Sequence, residues 1–352
     1  MPASRRLGLY SEATDGSGTD RIPLAALGRT SGLVYSTTYP GGDDTLSVNL
    51  ELDPRTQPGA LMIGRRLRVC LAGSTLWQGR IDSAPPGQPW QISCTGAASM
   101  ASQYTVDTGN TTNANVDFKI GEGLPWIRSS SLPAGPAPAS ITTMQLSDYL
   151  NAAALAAGQH WTVGRDGTIA FGSPPTTPGY LLLATDRPAR TAENYITRLF
   201  GNYIDSGTGL LSWTFVASQT AHGNREDSVD LTGFGAISNA TAISYLTTLI
   251  GRSGYRTRYA APFTVQPGRL LNYPGGSPKD LATVRAGAMV RPTGLDPNQL
   301  GETTVGIAAS DFVIGATSYD DDTGVLTLTP YEDATQSTDL QQMVSDLIKQ
   351  AA

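Results

Sequence analysis

Leu61-Met62-Ile63-Gly64-Arg65-Arg66-Leu67-Arg68 returns near the end of the chain as Val284-Arg285-Ala286-Gly287-Ala288-Met289-Val290-Arg291. Both stretches read as an apolar residue, a glycine three positions on, an apolar residue three further, and then arginine. Each is followed by a second glycine-bearing segment, Trp77-Gln78-Gly79-Arg80-Ile81 in the first and Val313-Ile314-Gly315-Ala316-Thr317 in the second. A turn and an alternating run close each unit: Trp90-Gln91-Ile92-Ser93-Cys94 after Pro85-Pro86-Gly87, and Val325-Leu326-Thr327-Leu328 after Asp320-Asp321-Asp322-Thr323-Gly324. The shared order of strand, glycine turn and strand predicts two copies of one small β-unit. Such a chain offers two near-equivalent faces, and a trimer of it would offer six.

The segments around the first copy also read as strands. Ser47 to Leu52 alternates polar and apolar residues, and Leu67 to Leu71 leads through Gly73-Ser74 into Leu76-Trp77. The middle of the chain changes character. Ser129 to Ser140 is rich in Ser, Pro and Ala and reads as a loop. Leu146, Tyr149, Leu150, Ala153 and Ala154 then fall at helical spacing, with Thr142 or Thr143 available as a cap and Gly158 as a stop. A hairpin follows, Trp161 to Val163 and Thr168 to Phe171 around Gly164-Arg165-Asp166-Gly167. Further strands are expected at Tyr195 to Tyr203 and Leu210 to Ala217. Ile243, Leu246, Leu249 and Ile250 share a helical face before Gly251.

Near the end, Leu340, Met343, Val344, Leu347 and Ile348 form an amphipathic stripe behind a capping box at Thr338 and Gln341. This stripe is the candidate interface, because a short terminal helix is marginal without a partner surface. The expected fold is mainly β with α+β inserts. It comprises a first β-barrel over 1–100, a small α+β insert domain over 101–185, and strands and a helix over 186–257 that link or complete the barrels. A second β-barrel over 258–335 and the C-terminal helix over 336–352 complete it.

Composition narrows the function. The 352 residues suit two or three domains, and no run approaches the ~20 apolar residues of a membrane span. Met1 to Tyr10 lacks the apolar core of a secretory signal, so synthesis and folding in a cytoplasm are expected. Charged residues make up only 15%, against 39 Gly and 23 Pro, and the net charge of −6 comes without a basic run, which argues against sequence-independent or sequence-specific nucleic-acid binding. The two cysteines, Cys70 and Cys94, exclude a disulfide scaffold and read as buried strand residues. His160 and His222 lack metal-ligand spacing, and His160 reads as packed at a helix-to-strand corner. Asp320 to Gly324 begins like a calcium loop, but Tyr331 stands where the bidentate Glu belongs, so a hairpin turn is expected. Gly121-Glu122-Gly123 and Gly233-Phe234-Gly235 read as turns rather than phosphate cradles. No catalytic residue, cofactor site or metal site is assigned.

The run Leu46 to Leu52, the stretch Pro58 to Val69 and the segment Leu76 to Asp82 together resemble minor tail proteins of siphophages that infect actinobacteria. These are similar to the trimeric baseplate hub, or tail-associated, proteins of other tailed phages. The resemblance implies two barrels related by pseudo-sixfold symmetry with small α/β domains attached, in a homotrimer that joins a sixfold tail tube or distal tail ring to a threefold tip and lets DNA pass. It further implies a virion location at the tail tip, a structural rather than enzymatic role, and the distal tail ring, the tape measure protein and other tip proteins as partners. The chain stops at Ala352 without the long extension that would carry a peptidase or receptor-binding module. Alternatives are a distal tail ring protein, a tail-tip cell-wall hydrolase, and a carbohydrate-binding β-module exposing Trp126, Trp161 or Trp213.

Overall fold

The structure, a computed structural model, describes residues 7–13, 20–53, 55, 58–107, 127–129, 143–156, 159–173, 175–183, 196–217, 226–252, 262–293 and 311–331. The fold is mainly β with few helices. It divides into two compact units, Met1–Arg187 with Pro262–Tyr331, and Pro188–Ala261 with Glu332–Ala352.

The first unit begins with strands β1 (Gly8–Glu12), β2 (Arg29–Thr38), β3 (Gly42–Glu51), β4 (Arg66–Leu71), β5 (Ser74–Ser83) and β6 (Trp90–Gly96). They pair antiparallel in the spatial order β2-β3-β6-β5-β4-β1. Alternation works as expected in β3, whose Leu46, Val48 and Leu50 are buried while the residues between them are more exposed. The tight β4–β5 connection uses left-handed backbone at Ala72 and Gly73, the twist that a two-residue hairpin needs.

An α+β insert follows in the same unit. Helix α1 (Ala97–Ala101) continues directly from β6, and α2 (Leu146–Ala156) packs beside the hairpin β7 (His160–Val163) and β8 (Thr168–Gly172). Met100, Leu146, Leu150, Trp161 and Ile169 fill its core. Thr143 lies in a short strand and Thr142 outside the described residues; the Leu146 N–H donates to the Tyr104 carbonyl at 2.8 Å. In the hairpin turn Asp166 accepts from the Thr168 N–H, which holds its carboxyl below the usual range.

The second unit is a small sheet, β9 (Arg198–Asp205) between β10 (Leu211–Ala217) and β11 (Glu226–Asp230), with helix α3 (Asn239–Arg252) against β9 and β10. Leu199, Tyr203, Leu246 and Leu249 meet in its core. Ser238 caps α3 by accepting from the Thr241 N–H, and the helix runs past Gly251 to Arg252. Ile243, expected on the buried face with Leu246 and Leu249, stands 37% exposed.

The chain then returns to the first unit with β12 (Phe263–Val265), β13 (Met289–Thr293), β14 (Phe312–Asp320) and β15 (Val325–Pro330). These strands reproduce β3 to β6 in detail. A 3-10 turn at Gly59–Leu61 precedes Gly64 and β4; another at Leu281–Thr283 precedes Gly287 and β13. Gly64 and Gly287 have φ of 93° and 89°, a conformation that favours glycine. The Gly64 N–H donates to Ile81 O at 2.8 Å, and the Gly287 N–H to Ile314 O at 2.7 Å. The register agrees as well: Leu67 faces Gly79 as Val290 faces Phe312, and Arg66 faces Arg80 as Met289 faces Val313. Even the β-bulge recurs, between Ile81 and Ser83 opposite β6 and between Ile314 and Ala316 opposite β15.

One expected correspondence is corrected. Gly79 and Gly315 are not equivalent: Gly79 is paired with Leu67 and Gly96, while Gly315 sits in the bulge of β14. The matching residues are Ile81 and Ile314, both fully buried, because burial rather than glycine content fixes the register. Both copies belong to one 13-stranded sheet, joined where β14 pairs with β2.

Candidate functional site

Among the described residues no group of three or more His, Cys, Asp or Glu could hold a metal ion, and no helix is long and apolar enough to cross a membrane. Cys70 and Cys94 are buried, and burial pushes the Cys94 thiol up, away from the thiolate that a nucleophile needs. His160 packs against the rings of Tyr39 and Tyr331, with centroids at 5.2 and 5.6 Å. His222 and Trp126 lie outside the described residues. Asp320 to Gly324 forms the turn between β14 and β15, where Asp320 accepts from the N–H groups of Asp322 and Thr323. The cavity within the insert core, lined by residues such as Ala101, Leu150 and Trp161, holds about 20 Å³, too little for a ligand.

What the first unit does assemble is a buried polar junction. Asp43 of β3, 1% exposed, meets Arg285 from the turn before β13 at 2.8 Å and accepts from the Gln78 N–H of β5 at 3.1 Å. Arg285 also donates to the carbonyls of Leu76 at 3.0 Å and Val163 at 3.1 Å. The Ala286 N–H donates to Thr37 Oγ1 at 2.9 Å, and a Cβ placed on Gly287 would come within 2.8 Å of the Tyr39 ring. One turn thereby ties the second copy to β2, β3 and β5 of the first and to the insert hairpin. Burial raises the Asp43 carboxyl to about 6, with Arg285 opposing the shift. The first copy handles its own buried carboxylate separately: Glu12 of β1 lies 2.9 Å from Arg68, 3.5 Å from Arg66 and 3.7 Å from Arg21.

The equivalent turn of the first copy is bare. Met62 and Ile63, at the positions of Arg285 and Ala286, stand 65% and 72% exposed. They are two of the large hydrophobic side chains that the described residues leave in solvent.

The others cluster on the second unit. Leu211, Trp213 and Phe215 of β10 are 72%, 64% and 46% exposed, whereas Ser212, Thr214 and Val216 point toward α3. Phe200 of β9 joins this outer face, 5.5 Å from Phe215 and 6.1 Å from Trp213 between centroids. Strand register sets Trp213, Asn202 and Asp230 in one row across β10, β9 and β11. Arg198 and Glu226 pair at its margin at 2.7 Å. The strand expected at Leu210 to Ala217 is present, and it turns its large residues to solvent. Sequence patterning showed the alternation but not its direction. The expected interface residues Leu340, Met343, Val344, Leu347 and Ile348 lie outside the described residues. Trp161 is buried at 3% and cannot serve as a stacking platform.

No protein-family profile and no curated protein matches the sequence. Solved structures do match. The 43 kDa tail protein of prophage MuSo2 from Shewanella oneidensis is 12% identical, with 92% of this chain and 98% of that chain aligned at a TM-score of 0.55. The tail protein from Neisseria meningitidis MC58 is 15% identical, covering 95% of this chain and 99% of that one at 0.53. At these identities the likeness is one of fold, and it runs through almost the whole of each chain: this chain has the fold of phage tail proteins.

Proposed function

We propose that the chain is a structural hub protein of a phage tail tip. In this reading the two copies of the β-unit form two barrels, and a homotrimer sets six of them against a sixfold distal tail ring while leaving a passage for DNA. The carrying observation is the repeat itself. A matching positive-φ glycine, register and bulge in two segments give one chain the same structural element twice, which is what a threefold protein needs to meet a sixfold one. The end-to-end likeness to these two tail proteins supports the tail setting. The domain limits expected from the sequence belong to the same proposal. The role is mechanical rather than enzymatic and needs no cofactor; the neighbours are the distal tail ring, the tape measure protein and other tip proteins. The stripe Leu340, Met343, Val344, Leu347 and Ile348 packs on another subunit or on one of these neighbours.

Counting the chain in purified virions by quantitative mass spectrometry tests the reading. Three copies per tail are expected. Six would reassign it to the distal ring, and absence from the virion would end the proposal. The outer row Trp213, Asn202 and Asp230 favours a second reading, a carbohydrate-binding face, since a ring flanked by an amide and a carboxylate can stack on and hydrogen-bond to a pyranose. Quenching of tryptophan fluorescence by host-wall polysaccharide, lost in Trp213→Ala, would support it.

A further inference from the structure

We propose that the outer face of the second unit binds a glycan chain laid along β10, in two adjacent sugar subsites that admit neutral and amino-bearing rings and turn away anionic ones. The inference rests on the carbohydrate reading of this face and adds to it the number of rings, their direction and their charge. Flatness decides that the ligand is a polymer. A small molecule held tightly sits in a concave pocket, and a pleated sheet face offers none, so affinity has to be built from successive rings. β10 supplies the floor, since Leu211, Trp213 and Phe215 all face solvent at intervals of about 6.7 Å along the strand. Phe200 of β9 widens it, with its centroid 6.1 Å from that of Trp213 and 5.5 Å from that of Phe215. Strand register then sets polar groups beside the rings. Trp213 shares a row with Asn202 and Asp230, and Phe215 shares the next row with Phe200 and Ser228. Asn202, Ser228 and Asp230 are exposed. A pyranose stacked on Trp213 has an amide and a carboxylate at its hydroxyl edge, and one stacked on Phe215 and Phe200 has a hydroxyl. Each row is one subsite, with its aromatic floor toward β10 and its polar fence toward β11, so the polymer runs parallel to the strands.

Charge decides which sugars enter. Arg198 and Glu226 at the margin neutralise each other at 2.7 Å. Asp227 belongs to the opposite face, because its register partner Leu199 is fully buried. Among the described residues no arginine or lysine pairs with Asp230, whose Oδ1 accepts from the Thr232 N–H at 2.8 Å. That bond holds its carboxyl below the usual range, so it stays ionised. The polar fence therefore carries one uncompensated negative charge, which accepts from hydroxyl and ammonium groups and repels a carboxylate or phosphate on the polymer.

The test is isothermal titration of the full chain with N-acetylglucosamine, chitotetraose, its de-N-acetylated tetramer and tetragalacturonate. Both chitin-derived tetramers should bind, and the monosaccharide and the galacturonate should each bind at least about tenfold more weakly. Trp213→Ala and Phe200→Ala should each weaken chitotetraose binding by about tenfold or more, as for central aromatic contacts, with circular dichroism unchanged. Asp230→Asn should keep chitotetraose within about threefold of wild type and raise tetragalacturonate to a similar affinity. A monosaccharide that binds as well as the tetramer, or galacturonate binding that Asp230→Asn leaves unaltered, overturns the inference while the carbohydrate reading stands. A chain that binds none of the probes, or one whose self-association in sedimentation depends on Trp213, overturns both.

Discussion

The two copies of the β-unit share an interior and differ at one turn. Leu67 and Val290, Ile81 and Ile314, and Ile92 and Leu328 are buried at corresponding positions in the same register. At the tip, however, Arg285 and Ala286 are fastened to the first copy and the insert, while Met62 and Ile63 face solvent. The core is therefore common to both copies, and the tips diverge. A second difference reinforces this. β14 extends through Ser318 to Asp320 to pair with β2, but the corresponding stretch after β5 enters Pro85-Pro86, which cannot supply ladder N–H groups.

Giving the second copy the residue of the first should produce the largest effect. Arg285→Met strips a buried carboxylate of its charge partner, at a cost of about 3–5 kcal/mol in denaturant unfolding near neutral pH. The pH dependence has a defined sign. With Arg285 present, the Asp43 carboxyl titrates at about 6 in the folded chain, above the ~3.9 of an unfolded aspartate. The folded state thus holds the proton more tightly, and this group's contribution to stability falls as pH rises from about 4 through 6. Without the opposing arginine that window extends upward. The loss caused by Arg285→Met should be greatest above neutrality and shrink on acidification; a loss independent of pH would show that Asp43 is not what Arg285 serves.

The paired glycines sharpen the comparison at a smaller scale. Gly64→Ala and Gly287→Ala impose the same backbone strain, since both φ values are near 90°. Only the second drives a methyl group into the Tyr39 ring, so it should cost about 1–3 kcal/mol more. Ile81→Val and Ile314→Val, in contrast, should each cost about 0.5–1.5 kcal/mol and agree closely, because both residues are fully buried beside the same bulge. Unequal losses would separate the two cores that the register unites.

The repeat was legible because a positive-φ glycine and the apolar positions around it leave a pattern in sequence. Helix α2, helix α3 and the β7–β8 hairpin were legible for similar local reasons. The Asp43–Arg285 junction was not. Its members lie in different copies, and nothing local separates Asp43 from the other 29 acidic residues of the 30 in the chain. The match of Gly79 to Gly315 failed because the identity of a small residue carries less positional information than burial of a large one. β10 was legible as a strand, but period-two alternation states that one face differs from the other, not which face meets the helix.

That ambiguity leads to the smallest expected effect. Trp213 is the largest side chain on β10, and if it faced the helix its replacement would open a cavity costing about 3–5 kcal/mol. In the structure it is 64% exposed, and the helix-facing positions are Ser212, Thr214 and Val216. Trp213→Ser should then shift unfolding of the isolated chain by no more than about 0.5 kcal/mol, as for a surface position without buried partners. Some loss of contact with the Phe200 ring is already within that figure, since the two centroids are 6.1 Å apart. A larger loss would mean that the outer face of β9 and β10 is covered within the chain itself. A negligible one, combined with weakened binding to tail components or to wall polysaccharide, would identify the face as a surface kept apolar for a partner and not for the fold.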